Sequence, residues 1–206
     1  MATGLASHYT AQSKRALTSR VGLRADTLPQ GGNFHPEEDV LALLLDHIDQ
    51  HRPRTIVQLG GSMAAPLMAL AAGPDVDLTV VESCGRTARI TRRMLQASGA
   101  EAAVLETELQ PYDKHNLWYA RSVTGQLPHR IDLLFIDGPG HFAGRMPRWA
   151  AGPELFSRLA PSGTVVLDDG RRVKEKKTLK SWAEEFPDLC QTATKTSSGA
   201  VVLRRP

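Results

Sequence analysis

Along most of this chain short apolar runs alternate with longer stretches whose apolar positions recur at helical spacing. Val40, Leu41, Leu44, Leu45 and Ile48 share one helical face, with Asp39, Asp46 and Asp49 off it. Pro36 suits a first helical position, and Glu37, Glu38 and Asp39 set acid at the positive end of the helix dipole. That helix should stop near 51–53, because Arg52 precedes a proline. Thr55–Leu59 then reads as a buried parallel strand. Residues 63–72 form a small-residue helix with Pro66 in its first turn. A second strand over 78–81 ends at Glu82, and a helix over 87–97 closes at Gly99. Residues 102–105 make a third strand.

The second half repeats the alternation less regularly. Residues 110–125 are aromatic and irregular, carrying Tyr112, Trp118 and Tyr119. Ile131–Ile136 is a fourth strand ending at Asp137, followed by a glycine-rich loop over 138–144 that contains His141. Trp149, Leu155, Phe156 and Leu159 suggest a helix that stops at 161–163. A fifth strand over 164–167 ends at Asp168-Asp169-Gly170, and Glu175, Leu179, Trp182 and Phe186 follow helical spacing. The last apolar stretches, 189–195 and 200–203, flank Ser197-Ser198-Gly199 as a hairpin.

This order predicts a Rossmann-like, doubly wound α/β fold. Its seven-stranded sheet should be mostly parallel, with a C-terminal antiparallel hairpin. A dinucleotide dehydrogenase would keep winding β-α-β instead, so the closing hairpin discriminates. Residues 34–206 form the main domain. Residues 1–33 are too few to fold alone and form an N-terminal arm, with a short helix over 7–17 and a turn or loop over 29–33. The arm serves either as a lid or as an element exchanged in a homodimer.

Composition narrows this picture only modestly. A net charge of +3 and a pI near 9.0 favour an anionic partner without establishing nucleic-acid binding. Cys84 and Cys190 lie far apart with no CxxC, which points to free thiols in a reducing compartment. The polar N-terminus carries Lys14, Arg15 and Arg20 and does not read as a signal peptide. The most apolar run, 63–72, is far short of the roughly 20 residues a membrane span needs. A cytoplasmic protein that does not enter the membrane is expected.

The candidate chemistry gathers at strand ends. Gly60-Gly61-Ser62 lets backbone approach a ligand and presents a helix N-terminus, or else serves only as a tight strand-to-helix turn. Glu82, one β-α-β unit later, can accept two ribose hydroxyls or can cap the helix that follows. Asp137, Asp168 and Asp169 end strands that face one crevice. They can bind Mg²⁺ or a similar ion that acidifies an acceptor hydroxyl, or divide between ligand contact and helix capping. His141 can act as a general base, as a metal ligand or as an ordinary loop histidine. Tyr112, Trp118 and Tyr119 either line an acceptor pocket or pack a loop over the sheet. The basic run over 171–177 reads as a solvated helix start before it reads as an RNA grip.

On these residues the chain resembles the class I S-adenosylmethionine-dependent methyltransferases from about Asn33 onward. HRPRTIVQLGGS is similar to their first motif, VVES to the ribose-binding acid, IDLLFIDGPGH to the fourth-strand motif and LAPSGTVVLDDG to the fifth. The nearest flavour is the small-molecule group that shades into the divalent-metal-dependent O-methyltransferases.

The resemblance implies Gly60, Gly61 and Ser62 on the methionine moiety, Glu82 on the ribose, and Glu108 or Leu109 near the adenine. It sets Asp137 beside the transferred methyl, and Asp137, Asp168 and Asp169 where metal-dependent members hold their ion. Three departures are plain: Gln58 stands where the family keeps an acid, Ala64-Ala65-Pro66 replaces the usual later Gly or Ser-Thr, and Gly140 stands where metal-dependent relatives keep a lysine, leaving His141 as the nearest substitute.

The implied function is transfer of a methyl group from S-adenosylmethionine to a small-molecule acceptor, most readily a hydroxyl oxygen, with Mg²⁺ assistance in the metal-dependent version. Two alternatives belong to other classes. Gln58 suggests a non-catalytic S-adenosylmethionine-binding protein. The arginines over 86–93 and the 171–177 run suggest an RNA or protein methyltransferase, although the motif of exocyclic-amine methylation is absent.

Overall fold

A computed structural model describes residues 14–24, 26–27 and 36–206. The expected loop over 29–33 and most of the expected helix over 7–17 lie outside the described residues. What is described of the arm is helix α1, Lys14–Arg20. Its Leu17 is fully buried in the main core, and its Arg20 pairs with Asp46 at 2.8 Å and Asp49 at 2.9 Å.

The first half follows the periodicity closely. Helix α2 is Glu38–His51, ending on Arg52 in the left-handed conformation. Strand β1 is Thr55–Leu59, α3 Ala64–Ala72, β2 Asp77–Glu82, α4 Gly85–Ser98 and β3 Ala103–Glu106. The segment expected to be irregular contains a small antiparallel hairpin, β4 Leu109–Pro111 with β5 Leu117–Tyr119. Asp113 closes it, its Oδ1 accepting from the backbone N–H groups of His115 and Asn116 at 2.6 and 2.9 Å, an Asx-type turn. A short helix α5, Arg121–Thr124, leads to β6, Ile131–Ile136.

The expected helix before 161–163 is much reduced. Helix α6 covers only Ala151–Leu155, with Pro153 in its first turn, and runs into a 3₁₀ turn over Phe156–Arg158. Strand β7, Leu159–Leu167, therefore starts earlier than the apolar pattern suggests, with a register shift opposite Ile131/Leu133 that absorbs Pro161 and Gly163. Helix α7, Val173–Glu185, and the strands β8, Cys190–Ala193, and β9, Val201–Arg204, complete the chain.

The sheet order is β3-β2-β1-β6-β7-β9-β8. Strands β3, β2, β1, β6 and β7 pair in parallel, while β9 pairs antiparallel with both β7 and β8. This is the predicted seven-stranded, doubly wound sheet with its terminal hairpin. Alternate residues serve opposite faces. Ile56, Val80, Leu133, Phe135 and Val166 pack under α2, α3 and α4, whereas Val57, Leu59, Val81, Leu134 and Leu167 pack with Trp118, Phe156 and Trp182. Winding reverses between β1 and β6, which opens a crevice at their carboxyl ends. Among the described residues no helix is long and apolar enough to cross a membrane, and both cysteines are free.

Candidate active site

The crevice is a cavity of about 970 Å³ that reaches from the β1 and β2 ends to the β6 and β7 ends. Its first wall is mostly backbone. The turn after β1 depends on glycine for a reason internal to the chain: Gly60 has φ +90°, and a Cβ there would come within 2.9 Å of Gly138 N. A Cβ on Gly138 would in turn meet Gly60 Cα at 2.9 Å. The exits of the two central strands thus approach each other across two missing side chains, which lets the cavity floor lie directly on backbone.

Gln58 is completely buried and does not line the cavity. Its Nε2 donates to Gly60 O at 2.7 Å and to Ser62 Oγ at 2.9 Å, so this residue ties the turn together from beneath. Ser62 is likewise buried, accepting from the Ala64 N–H at 3.2 Å, and stands behind the cavity wall. Gly60 and Gly61 do line it. The carboxylate of Glu82 accepts from the N–H groups of Gly61 and Cys84, each at 2.6 Å. It therefore holds the residue that leads into α4, Cys84, while still facing the cavity. Each oxygen keeps a further lone pair for a ligand hydroxyl. Glu108 and Leu109 flank the start of β4 and do not line the cavity.

The opposite wall is crowded with charge. One oxygen from each of Asp137, Asp168 and Asp169 lies within 4.8 Å of the others. Among them sits Arg148, only 3% exposed, from the irregular segment before α6. Its Nη1 donates to Asp168 O at 2.8 Å. Its Nη2 donates to Asp137 O at 2.7 Å, approaches Asp137 Oδ1 at 3.4 Å and donates to Asp169 Oδ2 at 3.0 Å. Glu175 of α7 lies behind it, 3.9 Å from Nε, and Arg172 contacts Asp169 at 2.9 Å. Asp168 Oδ1 accepts from Ser198 Oγ at 2.5 Å and from the Asp169 N–H at 2.7 Å.

Three carboxylates, those of Asp137, Asp169 and Glu175, thus share two guanidinium groups, and the Asp168 carboxylate lies beside them. Burial, with Asp168 and Asp169 adding to it against the pull of Arg148, pushes the Asp137 carboxyl up to about 7. Asp168 is also raised, by burial first.

Tyr119 forms part of the inner wall. It is 2% exposed, its hydroxyl has no partner within the described protein, and a Cβ on Gly138 would meet that hydroxyl at 2.6 Å. The protein thus leaves a buried donor unpaired beside the cavity. Of the other aromatics, Trp118 is buried beside Tyr119, and Tyr112 packs edge-on to Trp149 away from the cavity. His141 and Phe142 stand at the mouth, Phe142 being 70% exposed. Lys174 Nζ donates to the carbonyls of His141 and Gly144, each at 2.6 Å, and so straps this loop to α7.

Arg148 and the strap made by Lys174 escape a sequence reading, whereas Tyr119 is one of the three aromatics that it singles out, and the one of them that lines the cavity. The only hint for Arg148 is a charged residue set directly before the apolar Trp149-Ala150-Ala151 run.

Fold and site together set one large cavity at the topological switch point of the sheet, the place where open α/β sheets bind ligands. No family model and no curated protein matches the sequence. Solved structures do match over nearly the whole chain. An SAH-bound methyltransferase from Podospora anserina shares 12% identity, covers 97% of this chain and 90% of its own, and superposes with a TM-score of 0.62. An O-methyltransferase from Bacillus cereus in complex with SAH gives 12%, 91%, 87% and 0.62. A methyltransferase from Geobacter sulfurreducens gives 14%, 97%, 99% and 0.63. The fold of this chain is the one these methyltransferases adopt.

Proposed function

We propose that the protein transfers a methyl group from S-adenosylmethionine to a hydroxyl oxygen of a small molecule. The observation that carries this reading is a single large cavity with Glu82 on one wall and a half-buried Asp137 on the other. Ligand pockets commonly span about 300–1,000 Å³, so this one has room for a nucleoside-sized ligand and an acceptor together. Similarity in fold to methyltransferases crystallised with SAH supports the same donor.

The residues present fit that donor. The Glu82 lone pairs suit ribose hydroxyls, the open backbone at Gly60 and Gly61 suits close approach of its amino-acid part, and the orphaned Tyr119 hydroxyl supplies a further hydrogen bond. When bound, S-adenosylmethionine supplies an electrophilic methyl on a positively charged sulfur. The negative excess around Asp137 favours such a cation. Asp137 is also the group best suited to take the acceptor's proton, since its carboxyl titrates near 7. The acceptor oxygen then forms the new bond to the methyl carbon as the carbon–sulfur bond breaks, with its electron pair left on sulfur. Positioning and proton removal supply most of the acceleration. His141 and Phe142, at the mouth, line the acceptor's entry rather than the deep wall.

Calorimetry with S-adenosylmethionine and SAH tests the reading. Binding of both, followed by methyl transfer to a panel of small hydroxylated acceptors, is expected; absence of binding by either sinks it.

A further inference from the structure

Three carboxylates at one strand edge are the donor set of a hard divalent cation. The position such an ion would need is contested by a side chain of the protein itself. Arg148 Nη2 stands 3.4 Å from Asp137 Oδ1 and 3.0 Å from Asp169 Oδ2, and Asp168 Oδ1 is already engaged by Ser198 Oγ and the Asp169 N–H. We infer that the Arg148 guanidinium takes the place of a divalent ion, so that the carboxylate cluster is organised and works without metal.

Three observations make this substitution durable. Arg148 is almost wholly buried, so an arriving ion would have to break a packed arrangement to displace it. Its Nη1 and Nη2 satisfy the carbonyls of Asp168 and Asp137, the residues directly after β7 and β6, which displacement would leave unpaired. Behind it, Glu175 is 2% exposed and would be stranded as a buried charge. A guanidinium is also permanently charged and forks onto carboxylates, which a hydrated ion at this site would have to reproduce with fewer free oxygens. Arg148 is thus a positioning residue that fixes Asp137 and Asp169.

The inference rests on the methyl-transfer reading only for what the site accomplishes, and its test needs no donor. Full-length protein is titrated with Mn²⁺ and followed by electron paramagnetic resonance, as wild type, Asp169→Asn, Arg148→Gln, Arg148→Lys and the Arg148→Gln/Asp169→Asn double variant. Wild type and Arg148→Lys should leave the spectrum of the free ion at millimolar metal. Arg148→Gln should gain at least about a tenfold affinity, because one buried positive charge is gone, and Asp169→Asn should abolish that gain. Mn²⁺ binding by wild type that is lost in Asp169→Asn overturns the inference, as does a folded Arg148→Gln with no gain. Should Arg148→Gln fail to fold, wild type and Arg148→Lys still decide. Calorimetry of the same wild-type sample with SAH tests the methyl-transfer reading separately.

Discussion

The two walls of the cavity are built on opposite principles. The wall from β1 and β2 is settled before any ligand arrives: Glu82 is held by two backbone N–H groups, and Gln58 ties the turn from below. The wall from β6 and β7 is electrostatically unresolved, with Asp137, Asp168, Asp169 and Glu175 set against Arg148 and Arg172. Satisfied polar groups give rigidity and recognition, whereas an unrelieved buried charge gives reactivity. Under the proposed function, the first wall serves donor recognition and the second proton chemistry.

The largest expected effect comes from the second wall. Asp137→Asn should lower methyl transfer by about 10²- to 10⁴-fold in single-turnover assays while SAH affinity changes little. A comparable loss of SAH affinity would erase the division of labour. The first wall should behave in the opposite way. Glu82→Ala should weaken SAH binding by roughly 1.5–3 kcal/mol, read by calorimetry, because a charged acceptor of two hydroxyls is lost.

Asp137 also makes a pH prediction with a definite sign. Its carboxyl rises from 3.8 to about 7 on folding, so between those values the native state holds a proton that the unfolded chain has released. Stability contributed by this group falls as pH rises through that window and is level above it. Asp137→Asn removes the titration and should become more stable than wild type by about 2 kcal/mol at pH 7 and above, after allowance for its one-fifth exposure. Burial holds His47 down at about 4, giving the opposite slope, but His47 is common to both proteins and cancels in the difference. Denaturant melts of the pair across pH 4–8 check this.

Two smaller effects sharpen the picture at the floor between the walls. Gly138→Ala should cost about 1–3 kcal/mol of stability, because its Cβ meets both the buried Tyr119 hydroxyl and the Gly60 backbone, and neither can yield freely. Tyr119→Phe should weaken SAH binding by about 1 kcal/mol with almost no change in stability, since the hydroxyl has no protein partner to lose.

How much of this was legible beforehand varies along the chain. TIVQL, IDLLFI and the α2 face state their element in their own periodicity, and each forms where the pattern puts it. The convergence of Asp137, Asp168 and Asp169 also follows from strand ends alone, because parallel strands in one doubly wound sheet deliver their carboxyl ends to one edge. The shortened α6 and the hairpin of β4 and β5 were not legible. Pro153 and the Asx turn at Asp113 override weak local patterns there.

By itself, then, the sequence determined the sheet, its terminal hairpin and the edge where chemistry can occur, since these depend on periodicities that act over a few residues. Only tertiary structure decided what occupies that edge. Arg148 sits in an irregular segment with no periodicity to betray its direction, and it becomes the centre of the carboxylate cluster only once β6, β7 and α7 are assembled around it. The close approach of Gly60 and Gly138, and the orphaned hydroxyl of Tyr119 beside it, likewise exist only between segments far apart in the chain. Contacts of that kind are set by packing geometry, which no local pattern encodes.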